Sequence, residues 1–159
     1  MNQRNVLSLS AIAAFGLALL SGNAIAQQAA DVEGVNAASK GFYAALALLD
    51  DGAAMGKVVA HTNYVTYVGP RGKTITVGWD AQKKYWMDTN KAFSQRSVTL
   101  EDVHVHVSGN LAWEMGNERG ILKFTDGKEE RADYIATNVY EKIDGRWLMV
   151  SHHVQPKPL

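Results

Sequence analysis

The sequence contains no cysteine and no excess charge: its 159 residues hold 16 Lys plus Arg against 16 Asp plus Glu. Without cysteine, disulfides, thiolate nucleophiles, iron–sulfur clusters and zinc–cysteine sites are excluded. Without a basic excess or a basic run, the chain lacks the charge that non-specific binding of nucleic acid requires. It also lacks a P-loop and a Gly-x-Gly-x-x-Gly motif. We therefore expect one ordinary domain with no nucleic-acid partner and no cofactor.

The N-terminal segment has the features of an export signal. Arg4 precedes an apolar run from Val6 to Leu20, and Ala24-Ile25-Ala26 follows. The run is shorter than the about 20 residues that span a bilayer, and a small-x-small sequence after it is typical of signal-peptidase cleavage. We predict that residues 1–26 are a signal peptide cleaved after Ala26, and that residues 27–159 are a single periplasmic or secreted domain that is not attached to a membrane. A retained membrane anchor is the alternative.

The rest of the chain predicts helices first and strands afterwards. Apolar residues recur at helical spacing from Asp31 to Asp50 and again from Gly78 to Ala92. The expected strands are Tyr64–Val68, Val98–Val107, Leu111–Phe124, Arg131–Ile143 and Arg146–Val154, the last four separated by glycine-containing turns. This order predicts an α+β fold in which N-terminal helices pack on a curved, mostly antiparallel sheet.

Six short segments between Ser39 and Pro156 follow one another in an order shared with a known family. They are Phe42–Leu46 with Asp50–Gly52, Tyr67–Gly72, Val77–Asp80, Gly109–Trp113, Ala136–Tyr140 and Asp144–His153. In this order they resemble the SnoaL-like, or nuclear transport factor 2-like, family, in the branch with ketosteroid isomerases and calmodulin-dependent kinase association domains. The resemblance implies a cone with an internal cleft and a homodimer formed through the sheet. It implies no particular reaction, because the fold carries enzymes, binders and assembly domains.

Comparison with the isomerases of that family leaves one of three catalytic positions occupied. Tyr43 matches the tyrosine of the first helix, eight residues before Asp51. The general-base aspartate falls on Gly69, which cannot accept a proton, and the oxyanion-hole aspartate falls at or near Tyr134. The resemblance therefore implies that the standard ketosteroid isomerase mechanism is not retained.

The same comparison, with the alternation of side chains along strands, predicts which residues face the cone interior. The inward set is Val65, Tyr67, Val103, Val105, Trp113, Met115, Tyr134, Ala136, Asn138, Leu148, Val150, His152 and Val154. Together with Tyr43 from the first helix and a lid made by Trp79 and Trp86, these residues predict a largely aromatic cleft. Such a lining is typical of a small-molecule pocket, and a solid aromatic core is the alternative.

Within this cleft we assign roles by residue chemistry. His152 is the only inward group that ordinarily titrates near neutral pH, so it is the candidate acid or base. Tyr43 and Asn138 are the candidates that hold a developing oxyanion. The expected ligand-binding residues are Tyr67, Trp79, Trp86, Trp113 and Tyr134.

These assignments predict a domain that binds a small apolar or aromatic molecule with a carbonyl or hydroxyl group. A cofactor-independent isomerase, lyase or hydratase is one function that fits; non-enzymatic ligand binding and dimeric assembly remain the alternatives. His104 and His106 share one strand face, a spacing that metal sites use. Because Val103, Val105 and Val107 are expected on the inner face, both histidines are predicted to lie outside the cone, and we expect no metal site there. Arg71 and Lys73 fall in the turn after the first strand, at the rim of the cleft, where solvated charge is the commoner role.

Overall fold

The fold consists of a long helix, a shorter helix and a six-stranded sheet. The computed structural model describes residues 10–157, with side chains from Ala24 onward. The elements are α1 (Ser10–Leu48), α2 (Trp79–Asn90), β1 (Thr66–Val68), β2 (Thr76–Val77), β3 (Phe93–Ser108), β4 (Leu111–Phe124), β5 (Glu129–Ile143) and β6 (Arg146–Pro156). Every predicted helix and strand is present, with ends shifted by a few residues except at the start of α1. The expected signal peptide lies outside the described residues over its first nine positions and continues as part of α1.

The sheet is open and mixed, with strand order β2-β1-β6-β5-β4-β3. All neighbouring strands are antiparallel except β1 and β6, which run parallel. Helix α1 packs against β3 and β6, so its apolar side covers the concave face of the sheet. The predicted α+β class is confirmed. Within the described residues, no helix combines the length and apolar character needed to cross a membrane.

The core lies between α1 and the sheet. Val35, Phe42 and Leu46 of the helix are buried against Tyr140 and Met149 of the strands. Asp31 joins the helix to the sheet at one end, because its Oδ1 accepts hydrogen bonds from Trp147 Nε1 at 3.2 Å and from Lys142 Nζ at 2.6 Å. At the other end, the carboxylate of Asp50 accepts hydrogen bonds from the amides of Gly52 and Ala54, which turns the chain away from the helix.

Two features bend β3 against β4 and close the cone. Gly120 brings the two strands so near that a β-carbon added to it would lie 1.8 Å from the carbonyl oxygen of Ser97. Further along, β3 has a bulge between Glu101 and His104, where Asp102 adopts a φ of 53°. Both features increase the coiling of this hairpin, which curls it over α1.

On β4 the predicted inward face is wrong. Trp113 and Met115 are 39% and 46% exposed, whereas Ala112, Glu114 and Glu118 are buried. Glu114 pairs with Asn138 across the sheet, and directly paired residues project from the same face. The strand therefore presents Glu114 and Glu118 to the interior and Trp113 and Met115 to the outside.

Bulges explain two further differences from the predicted inward set. The bulge at Asp102 shifts the alternation on β3 by one residue, so that Arg96 and Val98 face inward before it and Val105 after it. Val103, predicted to point inward, lies within the unpaired stretch between Glu101 and His104 and is 40% exposed. On β6, a shift in pairing at Val150 separates buried Trp147 and Met149 from buried His152 and Val154. Leu148 and Val150, predicted to point inward, are therefore only half-buried.

Candidate functional site

The cone encloses a cavity of about 290 Å³ beneath α2 and the turn after β1. Its wall is mostly apolar and aromatic, with a few polar groups among them. The lining residues are Leu46, Tyr67, Pro70, Arg71, Tyr85, Thr89, Ala92, Phe93, Arg96, Val98, Glu118, Leu122, Phe124, Tyr134, His152 and Val154. A cavity of this size and make-up suits a small molecule rather than a peptide or a nucleotide.

Glu118 of β4 is the carboxyl group of this cavity. It is buried, and its Oε1 accepts a hydrogen bond of 2.9 Å from the hydroxyl of Tyr43 on α1. Burial raises the pKa of Glu118 to about 7, against the opposing effects of the Tyr43 hydrogen bond and the nearby Arg96 charge. A carboxyl group with a pKa in this range can both donate and accept a proton at neutral pH.

His152 of β6 faces Glu118, with Nε2 at 3.7 Å from Oε1 of the carboxyl. Its imidazole lies between the rings of Phe42 and Tyr67, each with its centroid 5.0 Å away. Burial lowers the pKa of His152 to about 3, and the neighbouring His153 adds to that effect. The imidazole is therefore neutral at physiological pH.

The hydrogen bonds of Asn138 determine the tautomer of that imidazole. Asn138 Nδ2 donates to Glu114 Oε1 at 2.8 Å and to the Tyr43 hydroxyl at 3.3 Å, so Asn138 Oδ1 is left to face His152 Nδ1 at 2.6 Å. An amide oxygen only accepts, so Nδ1 carries the hydrogen and donates it. Nε2 then presents a lone pair toward the cavity and Glu118.

Glu114 completes this network at the closed end of the cone. It is 1% exposed, and its Oε1 also accepts a 2.5 Å hydrogen bond from the hydroxyl of Tyr140. Its Oε2 has no hydrogen-bond partner among the described residues. Glu114 does not line the cavity, so its place in the site is to hold the amide of Asn138 in one orientation.

Arg96 of β3 adds a cation to the cavity wall. Only 8% of it is exposed. Its Nη2 donates to Asn90 Oδ1 at 2.8 Å, and its guanidinium lies 4.4 Å from the centroid of the Phe93 ring. Burial lowers the pKa of Arg96, although a guanidinium keeps its charge in proteins.

The structure brings together part of the predicted site. Tyr67, Tyr134 and His152 line the cavity. Tyr43 and Asn138 lie directly behind it, and their hydrogen-bonding atoms bond to Glu118, Glu114 and His152. This geometry favours positioning roles for Tyr43 and Asn138 rather than direct contact with an oxyanion.

The three predicted tryptophans lie apart from the cavity wall. Trp86 is buried behind Tyr67, with ring centroids 5.5 Å apart. Trp79 stacks on His61 at 4.1 Å. Trp113 is on the outer face of the sheet, where its ring lies tilted against that of His106 with centroids 4.2 Å apart. Both predicted outer histidines are exposed there.

Sequence reasoning missed Glu114, Glu118 and Arg96. The available signal was spacing, since Glu114 and Glu118 are four residues apart on one strand and must share a face. The family comparison pointed to the opposite face of β4, the one with Trp113 and Met115. Arg96 precedes the predicted start of its strand, which was placed at Val98, and so was not assigned to a face.

The position that corresponds to the isomerase general base has no room for a side chain. A β-carbon on Gly69 would lie 2.9 Å from the Tyr85 hydroxyl oxygen and 3.3 Å from a ring carbon of Tyr67. On the opposite wall, Glu118 pairs across the sheet with Tyr134. The carboxyl group that bonds to Tyr43 is therefore Glu118 of β4. The family comparison had placed the corresponding aspartate at or near Tyr134, on the neighbouring strand β5.

The fold and the cavity define an α+β cone protein with an internal acid–imidazole pair. The family model described as a SnoaL-like domain matches residues 35–155. The chain therefore belongs to the SnoaL-like domain family.

Solved structures with the same fold are named as different kinds of protein. A candidate dehydratase of the NTF2-like family from Streptomyces avermitilis is 23% identical, with a TM-score of 0.73 over 82% of this chain and 99% of that one. A candidate calcium/calmodulin-dependent kinase association domain from Thiobacillus denitrificans is 26% identical, with a TM-score of 0.66 over 77% and 94%. A candidate aromatic ring hydroxylase from Novosphingobium aromaticivorans is 13% identical, with a TM-score of 0.71 over 79% and 87%. The comparison with curated proteins finds no match.

Proposed function

We propose that this protein is a cofactor-independent lyase or isomerase that moves a proton on a small, largely apolar carbonyl or hydroxy compound. The observation that carries the proposal is the Glu118 carboxyl, buried in an aromatic cavity 3.7 Å from the lone pair of His152. A group with these surroundings and a near-neutral pKa is a common mark of acid–base catalysis. The similarity to a candidate dehydratase is consistent with this reaction class.

Glu118 acts as both base and acid in this proposal. Its carboxylate takes a proton from the carbon next to a carbonyl group, and the electron pair of the broken C–H bond forms an enolate. In a lyase reaction Glu118 returns that proton to a β-hydroxyl, which leaves as water while the enolate electrons form the C=C bond. In an isomerase reaction it returns the proton to a different carbon. Either sequence leaves Glu118 as it began, so no co-reactant is needed.

His152 orients the substrate rather than moving the proton. Its pKa of about 3 makes it a weak base, while its Nε2 lone pair can accept a hydrogen bond from a substrate hydroxyl. Tyr43 and Asn138 are positioning residues, since they hold Glu118 and His152 in place. This differs from the assignment made from sequence, in which His152 was the proton carrier.

The test begins with native mass spectrometry of protein purified from its own host, to identify a co-purifying small molecule. That molecule is then incubated with the protein in D₂O, and deuterium incorporation or loss of water is followed by NMR. Wild-type protein is expected to turn it over, and Glu118→Gln to lose at least about a hundredfold of the rate. His153→Gln is the control, because His153 is exposed and adjacent to His152.

Non-enzymatic binding is the second candidate function. It is favoured by the neutral state of His152 and by the internal hydrogen bonding of Tyr43 and Asn138, which leave few free polar groups in the cavity. A co-purifying molecule that binds wild-type and Glu118→Gln protein equally well and is never transformed would establish this alternative. It would also contradict the proposed proton transfer.

We also propose that the protein forms a homodimer through the outer face of β3 and β4. Exposed apolar residues gather there: Val103, Leu111, Trp113 and Met115 are each between 39% and 47% exposed. Such patches commonly mark interaction surfaces. The similarity to an association domain is consistent with assembly through the sheet.

Light scattering after size-exclusion chromatography tests the dimer. Trp113→Lys places a charge at the centre of the patch and is expected to shift the protein to monomer. Ile75→Lys is the matched control, since Ile75 is an exposed apolar residue outside the patch. A monomeric wild-type protein, or a dimer that tolerates Trp113→Lys, would contradict the proposed interface.

We also propose that the protein is exported. Residues 1–26 are a signal peptide that is cleaved off, and the remaining domain is periplasmic or secreted. Intact mass measurement on the protein recovered from each cell fraction tests it. The expected product starts at Gln27 and lies outside the cytoplasm. An uncleaved chain that begins at Met1 in the cytoplasmic fraction would contradict the proposal.

A further inference from the structure

Arg96 is a buried cation that forms no salt bridge. Within the described residues, no carboxylate oxygen lies within 4.0 Å of its guanidinium nitrogens, and Glu118 acts on its charge only from a longer distance. Its hydrogen-bond partner is the neutral amide of Asn90, and its Nε is buried with none. Burying a charge costs several kcal/mol unless it is paired, so the folded protein carries a cation that an anion in the cavity would stabilise.

The second arginine of the cavity differs in each of these respects. Arg71 lies at the mouth, its side chain is 60% exposed, and it forms an ion pair with Glu130. Its charge is therefore already compensated by a carboxylate and by solvent. The contrast identifies Arg96, rather than the rim, as the place where the cavity would recognise a negative group.

The surroundings of Arg96 suit an acid with an apolar body. The guanidinium rests on the ring of Phe93, and Phe124, Tyr85 and Tyr134 continue the wall. A flat apolar group can pack between these rings while its anionic end reaches the guanidinium. Glu118, on the neighbouring strand, lines the same cavity and is near enough for the charge of Arg96 to act on its pKa.

We infer that Arg96 is a carboxylate-binding subsite, and that the molecule bound in the cavity is a small aromatic or aliphatic carboxylic acid. The inference rests on the proposed function and extends it, because it states the charge of the substrate that Glu118 would act on. A guanidinium matches a carboxylate with two parallel N–H···O bonds. In a proton-transfer reaction the same charge would stabilise the enolate of the acid or of an adjacent carbonyl group.

A matched pair of ligands tests the subsite in the wild-type protein. Phenylacetate and phenylacetamide have nearly the same shape and differ in charge. Isothermal titration calorimetry is expected to give phenylacetate at least about tenfold tighter binding, the usual gain from a hydrogen-bonded ion pair. Equal affinities, or no binding of phenylacetate, would overturn the inference.

Two variants test whether Arg96 causes the preference for phenylacetate over phenylacetamide. Arg96→Gln is expected to remove the preference for phenylacetate, and Arg119→Gln to retain it, because Arg119 is exposed and pairs with Glu101 away from the cavity. Retention of the preference by Arg96→Gln would overturn the inference. If Arg96→Gln does not fold, the Nε–H signal of Arg96 in wild-type ¹⁵N NMR decides: it is expected to shift with phenylacetate and not with phenylacetamide, and an unmoved signal contradicts the subsite.

Glu118→Gln separates this inference from the proposed function. Because the substitution removes a carboxyl and leaves Arg96 in place, binding of phenylacetate is expected to persist or to tighten. One outcome is that Glu118→Gln still turns over the co-purifying molecule while the preference for phenylacetate still depends on Arg96. The proton-transfer proposal then fails and the carboxylate subsite remains. If Glu118→Gln abolishes turnover while Arg96→Gln keeps the preference, the subsite fails and the proton-transfer proposal remains.

Discussion

Glu118 Oε1 and His152 Nε2 face each other at 3.7 Å inside the cone, and burial acts on the two groups in opposite directions. It raises the pKa of Glu118 to about 7 and lowers the pKa of His152 to about 3. Between these values the pair holds one proton, and that proton is on the carboxyl group. The pair is therefore a neutral acid beside a neutral imidazole, because an apolar cavity disfavours the ion pair that the same residues would form in water.

This relationship predicts how Glu118 affects stability. Because its pKa is raised from 4.5 to about 7 on folding, its contribution is fully present below pH 4.5 and is lost as the pH rises through 7. Glu118→Gln mimics the protonated form at every pH. Relative to wild type, its free energy of unfolding is expected to rise by about 3 kcal/mol between pH 4 and pH 8, as measured by urea denaturation.

The control for that experiment is Glu129→Gln, which alters an exposed carboxylate on β5. Its difference from wild type is expected to stay nearly constant over the same pH range. The groups that surround Glu118 are Tyr43 of α1, Arg96 of β3 and His152 of β6. A difference for Glu118→Gln that does not depend on pH would contradict the raised pKa.

His152 predicts the opposite pH dependence. Its pKa falls from 6.5 to about 3 on folding, so the unfolded chain binds a proton that the folded protein excludes. The contribution of His152 is fully present above pH 6.5 and is lost as the pH falls through 3. His152→Gln is expected to lose less unfolding free energy than wild type as the pH falls below 6.5, whereas His153→Gln is expected to lose as much as wild type.

Nitrogen NMR tests the same imidazole directly. The ¹⁵N shifts of His152 are expected to show hydrogen on Nδ1 and a bare Nε2 at both pH 5 and pH 8, with only the smaller change in the Nε2 shift that ionisation of Glu118 at 3.7 Å causes. Exposed His153 is the internal reference, since solvent reaches its ring. An Nε2–H signal, or a His152 titration near neutral pH, would contradict the tautomer inferred from Asn138.

A side chain at position 69 is expected to conflict sterically with Tyr85. A β-carbon there would lie 2.9 Å from the Tyr85 hydroxyl, so Gly69→Ala is expected to destabilise the fold by about 1 to 2 kcal/mol. Tyr85→Phe removes that hydroxyl and is expected to relieve most of the loss in the double variant. Additive effects in a double-mutant cycle would show that the two positions do not conflict.

Gly120 predicts a larger effect on folding. A β-carbon there would overlap the Ser97 carbonyl oxygen at 1.8 Å, and neither backbone can move without separating β3 from β4. Gly120→Ala is expected to cost about 3 kcal/mol or more in unfolding free energy. Gly109→Ala is the comparison, because Gly109 has a φ of 60° and open space around it, so only about 1 kcal/mol is expected. Similar losses in both variants would contradict the close approach of the strands.

The candidate site could be predicted only in part, and the reason lies in strand alternation. Tyr67, Tyr134 and His152 were placed in the cavity correctly, because their strands present the expected face there. Trp113 was placed inward by the family comparison together with the regular alternation of side chains along a strand. In the folded protein, hydrogen bonds from Tyr43, Tyr140 and Asn138 reach one oxygen of each buried glutamate and stabilise the carboxylate face as the inner one.

The sequence by itself determined the class of fold and the order of its elements, since helical spacing, strand alternation and glycine turns are local properties. Only the tertiary structure decided which face of each strand lines the cavity. One-residue bulges at Asp102 and Val150 reverse the alternation, and nothing in the local pattern announces them. The charge states of Glu118 and His152 were decided in the same way, because a pKa depends on burial and on neighbours that are distant in the chain.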